Sequence, residues 1–354
     1  MDCFYAAIEE KYNPSLKSKA VVIGSLPEQR RGVVATANYE ARKFGIHSAM
    51  SIKEAYKLNP NAVFMKTNKS LYKKESQKVM KILKTFSDEF EQVSIDEAYL
   101  DISKFVKQEK EKNKNISLNE IVRIIKKEVY KQTRLTCSIG LAKSRFVAKI
   151  ASDINKPVGT TIVEDVKEFL APLKVSKIPG IGKKAHKKLK QVGIYTIKDF
   201  REYSLFKLID LFGNNIIKYH NIAKGIDNTY IKERKEHKSL SCEETYEYDI
   251  CFEDCFTRIN YLSTKLYQDL GKQGFKTISI KLRFSDFETH TKDFSLKLTE
   301  SRIDNIKEIS YKLLKELKNK YKINKKIRLF GIKVSNLNEN YFKQANLNSF
   351  ISTN

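Results

Sequence analysis

Hydrophobic periodicity changes twice along this sequence, and the two changes divide the chain into three kinds of structure. Over roughly residues 1–158, apolar runs of period two alternate with runs of helical period, which predicts an α+β region. From about 163 to 230, only short helical patterns occur. After a charged connector, residues 239–342 follow the order β-α-β-β-α-β of a compact four-stranded unit. The sequence therefore predicts an α+β multidomain fold, and 354 residues of 41% hydrophobic content can bury two to four cores.

The first region alternates the two kinds of pattern several times. Helices are predicted over 1–12, 33–58, 70–87, 118–133 and 143–155. Strands are predicted over 19–25, 90–103 and 135–142, and residues 32–46 are predicted to be a strand that enters a helix. The Lys-Pro pair at 156–157 marks the end of this region, because a proline interrupts regular structure.

The chain is strongly basic, with 67 lysines and arginines against 42 acidic residues and a formal net charge of +25. Each neutralised phosphate of a nucleic acid releases condensed counterions, so this charge favours a polyanionic partner. Lysines on ordinary solvated surfaces are the alternative, and clustering decides between the two. The densest cluster is "KVSKIPGIGKKAHKKLK" at 174–190, with seven lysines and no acid.

This lysine cluster surrounds the tetrapeptide Pro-Gly-Ile-Gly. Gly180 and Gly182 allow a tight turn whose N–H groups point outward, at the start of a helix whose dipole favours anions. With Lys183 and Lys184 they form a predicted helix-hairpin-helix, which holds a DNA backbone without reading bases. An ordinary helix-turn with a basic face is the alternative.

Several other classes of protein are disfavoured. No apolar run approaches 18 residues and no basic region precedes an apolar stretch, so neither a transmembrane helix nor a secretory signal is predicted. Five scattered cysteines suit a reducing cytosol, and we expect a cytoplasmic protein. The pair in "CFEDC" at 251–255 has no second Cys or His pair at zinc spacing.

Two adjacent acids, Asp96 and Glu97, are the first candidates for chemistry. Neighbouring side chains of a regular strand point to opposite faces, so the pair reaches one metal site only where the strand bends. A solvated acidic pair at the end of a strand is the alternative. Tyr39 and Arg42, at i and i+3 on one helix face, and Lys156, just after a helix, are candidate phosphate contacts. Acids for a divalent metal combined with such a clamp are typical of metal-assisted phosphoryl or nucleotidyl transfer.

The polar C-terminal tail contains "QANLNSF" at 344–350. Its Gln344, Leu347 and Phe350 are spaced so that a glutamine and two apolar anchors can enter a partner's pocket. Polar tails also produce such spacings by chance.

Five motifs follow one another along the chain: "MDCFYA", "ATANYEARKFG", "SIDEAYLD", "SIGLAKSRFVAKIASDINKP" and "IPGIGKK". By their order and spacing, essentially the whole chain resembles the Y-family of translesion DNA polymerases. The resemblance implies a right-hand polymerase with a palm, small fingers, a helical thumb and a little finger. By position these are the palm at 1–3 and 70–160, the fingers at 4–69, the thumb at 161–231, a linker at 232–238, the little finger at 239–342 and a clamp-binding tail at 343–354.

The resemblance also implies roles at a metal and nucleotide site. Asp96 and Glu97 match the carboxylates that bind two Mg²⁺ ions, together with the backbone carbonyl of Met1. The candidate phosphate contacts, Tyr39, Arg42 and Lys156, match residues that hold the triphosphate of an incoming dNTP.

Sugar selection and partners are implied in the same way. Tyr5 matches the steric gate, a ring under the sugar that excludes a ribose 2′-hydroxyl, and core packing beside Phe4 is the alternative. The tail matches the family's peptide for the sliding clamp. Primer–template DNA, dNTP and the clamp are therefore the implied partners of a monomer.

The N-terminus departs from the family pattern, which has a β-strand ending in Asp-x-Asp with a third metal-binding carboxylate on its first acid. Here Met1 stands at the middle position and Asp2 at the second acid, so the strand and the leading Asp are missing from this sequence. We expect a start assigned too late, palm strands that lack a partner, and weak catalysis by residues 1–354. Smaller departures are Ser144-Arg145 in place of Asn-Lys, and Val158 where Asn is usual.

The implied activity is low-fidelity, distributive DNA synthesis past damaged template bases, without proofreading. Two alternatives from other classes stay open. A DNA- and clamp-binding protein without catalysis is favoured if the truncation is real. A metal-dependent nuclease also combines acids with a helix-hairpin-helix, although Tyr5 and the Tyr39/Arg42 clamp argue against it.

Overall fold

The structure is a computed structural model that describes residues 1–227, 229–232, 237–321 and 325–338. The predicted clamp-binding residues Gln344, Leu347 and Phe350 lie outside the described residues, as do residues 233–236 of the predicted linker. The chain divides into two compact units: the first comprises Met1–Leu26, Val33–Met50 and Glu54–Arg234, and the second Pro27–Gly32, Ser51–Lys53 and Lys235–Asn354. The boundaries of palm, fingers, thumb, linker and little finger stay predictions. Among the described residues, no helix is long and apolar enough to span a membrane.

The N-terminal part of the chain alternates helices with short strands, as predicted. Its helices are Phe4–Tyr12 (α1), Tyr39–Lys43 (α2), Ile52–Leu58 (α3), Lys69–Lys84 (α4), Ser103–Lys112 (α5), Leu118–Thr133 (α6) and Arg145–Ile154 (α7). Its strands are Val21–Gly24 (β1), Val34–Ala37 (β2), Val63–Lys66 (β3), Phe90–Gln92 (β4), Ala98–Leu100 (β5), Ile139–Leu141 (β6) and Thr160–Ile162 (β7). Strand β1 pairs antiparallel with β2 and parallel with β3, β4 pairs antiparallel with β5, and β6 pairs parallel with β7.

Helix α6 shows how local sequence determines an element. Ser117 and Glu120 form a capping box, in which the Ser117 hydroxyl accepts a hydrogen bond from the Glu120 N–H at 3.2 Å. The Glu120 carboxylate accepts in turn from the Ser117 N–H at 2.8 Å, so two free helix-end donors are satisfied. Ile121, Ile125 and Val129 recur at helical spacing and are buried. The predicted helix over 118–133 is confirmed.

The predicted strand over 90–103 is wrong in its middle. Strands β4 and β5 are separated by a tight turn, in which the N–H groups of Val93 and Ser94 both donate to the carbonyl of Glu97, at 2.9 and 3.3 Å. The Ser94 hydroxyl also donates to the Asp96 carboxylate at 2.7 Å, a local bond that competes with strand pairing. The predicted helix over 33–58 is wrong as one element, because it contains β2, α2 and α3, whereas the prediction of a strand that enters a helix over 32–46 is confirmed by β2 and α2. Helix α5 and the short strands β3 and β7 have no counterpart in the predicted pattern.

Strands β5 and β6 lie in separate two-stranded sheets. Both line a cavity of about 160 Å³, whose apolar walls include Leu83, Ile125 and Val129. At the cavity, the Met1 ammonium donates to the carbonyl of Asp96 at 2.8 Å. The Asp2 N–H donates to the carbonyl of Thr136 at 3.2 Å. The first two residues of the chain therefore connect the segment before β5 with the segment before β6.

The rest of the first unit is helical, as predicted. Its helices are Val166–Leu170 (α8), Lys183–Gln191 (α9), Ile197–Glu202 (α10), Leu205–Phe212 (α11) and Ile216–Ala223 (α12). They share one buried cluster, in which Leu170, Leu189 and Phe200 are fully buried. Val147 and Ile150 of α7 belong to the same cluster, so the helices pack against the end of the α+β region.

The second unit contains the predicted β-α-β-β-α-β order. Its elements are Ser239–Ile250 (β8), Asp254–Leu270 (α13), Phe275–Phe284 (β9), Thr289–Glu300 (β10), Ile303–Tyr321 (α14) and Ile327–Ser335 (β11). The sheet is antiparallel, in the order β10-β9-β11-β8. Ile278 and Ile280 of β9 pack with Leu266 of α13 and Leu314 of α14 in one buried core. Burial of these side chains holds the two helices on the sheet.

Candidate active site

The turn between β4 and β5 brings Asp96 and Glu97 to one cavity. Both residues line the cavity between β5 and β6, together with Met1, Lys149 and Lys156. The bend that adjacent acids require in order to face one site is therefore present. The Ser94 hydroxyl orients the Asp96 carboxylate, as described above. Asp96 and Glu97 are partly buried, so the alternative of a fully solvated acidic pair does not describe them.

Lysines from helix α7 and the segment after it surround these acids. The Lys149 ammonium lies 2.5 Å from Glu97 Oε1 and 3.0 Å from Asp153 Oδ2. The Lys156 ammonium lies 2.8 Å from Asp153 Oδ1. Burial alone would raise the pKa of Asp153, but the hydrogen bonds from Lys156 and Lys149 outweigh it and hold that pKa below its usual value. Asp153 is therefore ionised at neutral pH and accepts from both lysines.

Helix α2 presents Tyr39 and Arg42 on one face, as predicted. The Asn38 side chain caps the helix by accepting from the Ala41 N–H at 2.9 Å. The Arg42 guanidinium carbon lies 4.9 Å from the centroid of the Tyr39 ring, a cation–π contact, and Arg42 Nε donates to the Ala37 carbonyl at 3.0 Å.

The Tyr39 hydroxyl is buried and has no hydrogen-bond partner among the described residues. Burial raises the pKa of Tyr39 to about 12, and the negative charges of Asp2 and Asp153 contribute to the shift. A buried hydroxyl without a partner costs about 1–3 kcal/mol, so a ligand that accepted a hydrogen bond from this atom would recover that free energy. Asp153 forms an ion pair with Lys156, and its negative charge contributes to the raised pKa of Tyr39, whose ring Arg42 contacts. The three predicted phosphate contacts therefore belong to one region.

Tyr5 stacks on Tyr72 at the edge of the same region. The two ring centroids are 4.3 Å apart with an interplanar angle of 15°, and Tyr72 is fully buried. The Tyr72 hydroxyl donates to Glu9 Oε1 at 2.6 Å, which fixes the lower ring of the stack. Burial and the charge of Asp96 raise the pKa of Tyr5, so its ring lies within electrostatic reach of Asp96. Phe4, the neighbouring ring, is the one that is buried in the core.

Asp2 is buried, and its carboxylate is used in hydrogen bonds within the protein. Its Oδ1 accepts from the Ser138 hydroxyl at 2.7 Å, and its Oδ2 accepts from the Val158 N–H at 3.0 Å. Both carboxylate oxygens are thus directed at the segments around β6 and β7.

The predicted helix-hairpin-helix has a glycine requirement at one position and not at the other. Gly180 has φ +104°, and a Cβ there would lie 2.4 Å from the Tyr219 hydroxyl oxygen. Gly182 caps α9 with an extended backbone, φ −79° and ψ 178°, and nothing lies within 4 Å of an added Cβ. Conformational freedom is therefore needed at Gly180, while at Gly182 the prediction that it is needed for the turn is wrong. Lys183 and Lys184 are exposed in the first turn of α9.

Replacing Gly180 with alanine is expected to lower the free energy of unfolding of the helical region by about 1–3 kcal/mol, because a side chain at this φ is strained and displaces Tyr219. Gly182→Ala is the matched control, with an expected loss of about 0.5 kcal/mol at a helix cap. Urea unfolding of the two variants measures both values. Equal losses of unfolding free energy in the two variants would contradict the conclusion that Gly180, and not Gly182, needs the conformational freedom of glycine.

Family models match three parts of this chain. The impB/mucB/samB family matches residues 1–153, the IMS family HHH motif matches 163–194, and the impB/mucB/samB family C-terminal domain matches 237–347. DNA polymerase IV of Staphylococcus aureus strain Newman is 37% identical over 356 residues, covering 99% of this chain and 97% of that protein. A solved Y-family DNA polymerase chimera, Dbh-Dpo4(243-245)-Dbh, has a TM-score of 0.84 and 28% identity over 95% of this chain and 96% of its own.

The chain belongs to the Y-family of DNA polymerases. It is a DNA-directed DNA polymerase of the translesion class, and the predicted family, fold class and enzyme type are confirmed. The comparisons do not favour a DNA-binding protein without catalysis. Another solved relative, the insertion ternary complex of Dbh DNA polymerase, has a TM-score of 0.67 and 28% identity, with 95% of this chain and 96% of that chain covered.

Y-family polymerases are nucleotidyltransferases that generally use divalent metal ions. The side chains at the cavity can therefore be checked for atoms that would bind such an ion. No group of three or more His, Cys, Asp or Glu side chains that could hold a metal occurs in the described part of this polymerase. Asp96 and Glu97 nevertheless offer the hard carboxylate oxygens that divalent Mg²⁺ prefers. The Glu97 carboxylate contacts one cation in the structure, the Lys149 ammonium. The residues therefore fit a divalent metal held by Asp96 and Glu97.

Three members of this polymerase site were missed by sequence reasoning. Lys149 and Asp153 lie on the polar side of an amphipathic helix and resemble any solvated i, i+4 pair. Tyr72 resembles an ordinary core residue of α4. Only the spacing of Lys149, Asp153 and Lys156, which places all three on one side of α7 and its end, could have indicated the first two.

Val158, close in sequence to Lys156, has a strained backbone. Its φ is +55°, in the left-handed region that β-branched residues rarely adopt, and its side chain is 51% exposed. Val158→Asn is expected to raise the free energy of unfolding by about 1 kcal/mol, because asparagine tolerates this conformation and packing does not require valine. Val33→Asn, 54% exposed without a positive φ, is the control and should bring no gain. Thermal unfolding measures both; a lower melting temperature for Val158→Asn would contradict the prediction.

Proposed function

We propose that this polymerase adds dNTPs to a primer 3′-hydroxyl across damaged template positions, with Asp96 and Glu97 holding two Mg²⁺ ions. The backbone carbonyl of Met1 is the third proposed metal contact. One observation carries the proposal: the turn that breaks the β4–β5 strand directs both acids to the cavity that Lys149 and Lys156 also line. Divalent metal ions supply charge stabilisation at the α-phosphate and lower the pKa of the attacking hydroxyl.

The residues around the acids bind and orient the nucleotide. Arg42 and Lys156 neutralise the triphosphate, and the Tyr39 hydroxyl, which has no partner in the part of the chain that the structure describes, donates a hydrogen bond to it. Tyr5 lies under the sugar, and its stack on the fully buried Tyr72 prevents it from yielding to a 2′-hydroxyl. Binding in this orientation supplies proximity, which is the protein's main contribution to phosphoryl and nucleotidyl transfer.

The proposal also includes DNA, at the start of α9, and the sliding clamp, at the C-terminal tail. Gly180, Gly182, Lys183 and Lys184 at the start of α9 present N–H groups and ammonium groups that suit a DNA phosphate. The domains proposed are the palm, fingers, thumb and little finger with the boundaries given above. The proposed tail contact with the sliding clamp raises the processivity of an otherwise distributive, low-fidelity monomer that acts in the cytoplasm without proofreading.

Primer extension tests the proposal. With a labelled primer, dNTPs and Mg²⁺, the chain is expected to extend the primer on an undamaged template and past an abasic site. EDTA should abolish extension. Omission of the template should also abolish it. Shortening of the primer without extension would indicate a nuclease and overturn the proposal. So would faithful, highly processive synthesis in the absence of a clamp.

A further inference from the structure

A row of four side chains with alternating charge connects the candidate metal carboxylate to a candidate triphosphate contact. It runs from Glu97 to Lys149, then to Asp153 and Lys156, with N···O distances of 2.5, 3.0 and 2.8 Å. The side chains are each between 24% and 37% exposed, so water screens these contacts only in part. The row joins the acid expected to bind a metal with the lysine expected to bind a triphosphate.

Helix α7 provides the geometry of the row. Lys149 and Asp153 are at i and i+4 on this helix, and Lys156 follows two residues after its end at Ile154. Glu97 reaches Lys149 from the turn between β4 and β5. Lys149 is therefore shared by two carboxylates, and Asp153 is shared by two lysines.

A divalent cation on Glu97 and the Lys149 ammonium compete for that carboxylate, because two cations at such a separation repel each other. Asp153 gives the ammonium a second partner 3.0 Å away. The lysine can therefore leave Glu97 without becoming an unpaired charge in a half-buried site, which would be costly. As Lys149 shifts to Asp153, that carboxylate is shared less with Lys156, whose ammonium becomes available for phosphate.

We propose that Lys149 is a positioning residue, which neutralises Glu97 before metal binding and moves to Asp153 as a divalent metal binds. This inference rests on the proposed function of Glu97. In the row, metal binding at one end prepares Lys156 at the other end for the triphosphate. Because such coupling is reciprocal, the shared partners make metal binding and triphosphate binding each favour the other.

Binding of Mn²⁺ to the protein without DNA or nucleotide tests the inference, with free Mn²⁺ measured by electron paramagnetic resonance. Lys149→Met is expected to tighten Mn²⁺ binding roughly 3- to 10-fold, because a competing cation is removed. Lys149→Arg should stay close to the unsubstituted protein. Asp153→Asn should weaken Mn²⁺ binding, because Lys149 then has Glu97 as its remaining partner. This weakening should be smaller when Lys149 is already Met, as in a double-mutant cycle.

A matched ion pair from the second unit provides the control. Lys281 and Glu243 are 2.9 Å apart and 31% and 36% exposed, and Lys281→Met should leave Mn²⁺ binding unchanged. Mn²⁺ binding that is unchanged or weaker in Lys149→Met, or an equal effect of Asp153→Asn in both backgrounds, would overturn the inference. Glu97→Gln separates the two proposals: if this variant binds Mn²⁺ normally, the metal role of Glu97 fails. If it loses binding while Lys149→Met has no effect, only the role of Lys149 fails.

Discussion

Asp96→Asn is expected to lower kcat/KM for single-nucleotide addition by ~10³-fold while DNA affinity stays the same. The carboxylate faces the cavity that the proposed metals and triphosphate share, and an amide keeps its shape but loses its charge. Loss of one preorganised group that stabilises a transition state commonly costs ~10²–10³-fold, and a metal ligand belongs at the upper end. Single-turnover primer extension under saturating DNA measures the effect.

Asp101→Asn is the matched control for this prediction. Asp101 follows directly after β5 and is exposed, and its Oδ1 accepts from the Ser103 N–H at 2.8 Å, a bond that an asparagine oxygen also accepts. Its rate should stay within about twofold of the unsubstituted chain, as for an ordinary surface change. Normal nucleotide addition by a chain with both Asp96→Ala and Glu97→Ala would refute the assignment of the active site.

Tyr5→Ala is expected to reduce the preference for dNTPs over ribonucleotides by about 10- to 200-fold. The ring is stacked on Tyr72, so in the proposed gate it could not move away from a 2′-hydroxyl, and its removal would open that space. A steric clash of one added group is worth about this factor in kcat/KM. The ratio of kcat/KM values for one dNTP and its ribonucleotide measures the effect.

Two variants make the gate prediction specific. Tyr5→Phe keeps the ring and its stack, so the preference should be retained. Tyr12→Ala removes the other tyrosine of α1, which is 53% exposed and bonds Glu75 at 3.0 Å. It should leave the preference unchanged. A preference that survives Tyr5→Ala would show that another group selects the sugar.

The sequence predicted elements well where local signals agree and poorly where a single side chain interrupts a pattern. Helix α6 was predictable because its capping box and its apolar spacing lie within one segment. The turn at Asp96 was not, since the bonds of Ser94 override an alternation that otherwise favours a strand. The adjacent acids required such a bend, and their chemistry indicated it better than their periodicity did.

Some residues of the candidate site could likewise be predicted from the sequence, and others were missed. The candidate residues in the quoted motifs, such as Tyr5, Tyr39 and Arg42, could be named from the sequence, while their roles stay predictions. Lys149 and Asp153 were missed although their spacing with Lys156 was visible, because their importance depends on Glu97, which is 52 residues from Lys149 along the chain. A pairing across that distance depends on tertiary packing, which periodicity does not describe.

The lysines at the start of α9 have a practical consequence for handling the protein. A helix carries partial positive charge at its N-terminal end, and Lys183 and Lys184 add two more charges there. The repulsion is relieved whenever a polyanion occupies that end. If nucleic acid from the expression host binds at this end of α9, it should stabilise the helix, and a preparation from which it has been removed should unfold at a lower temperature unless sulfate takes its place.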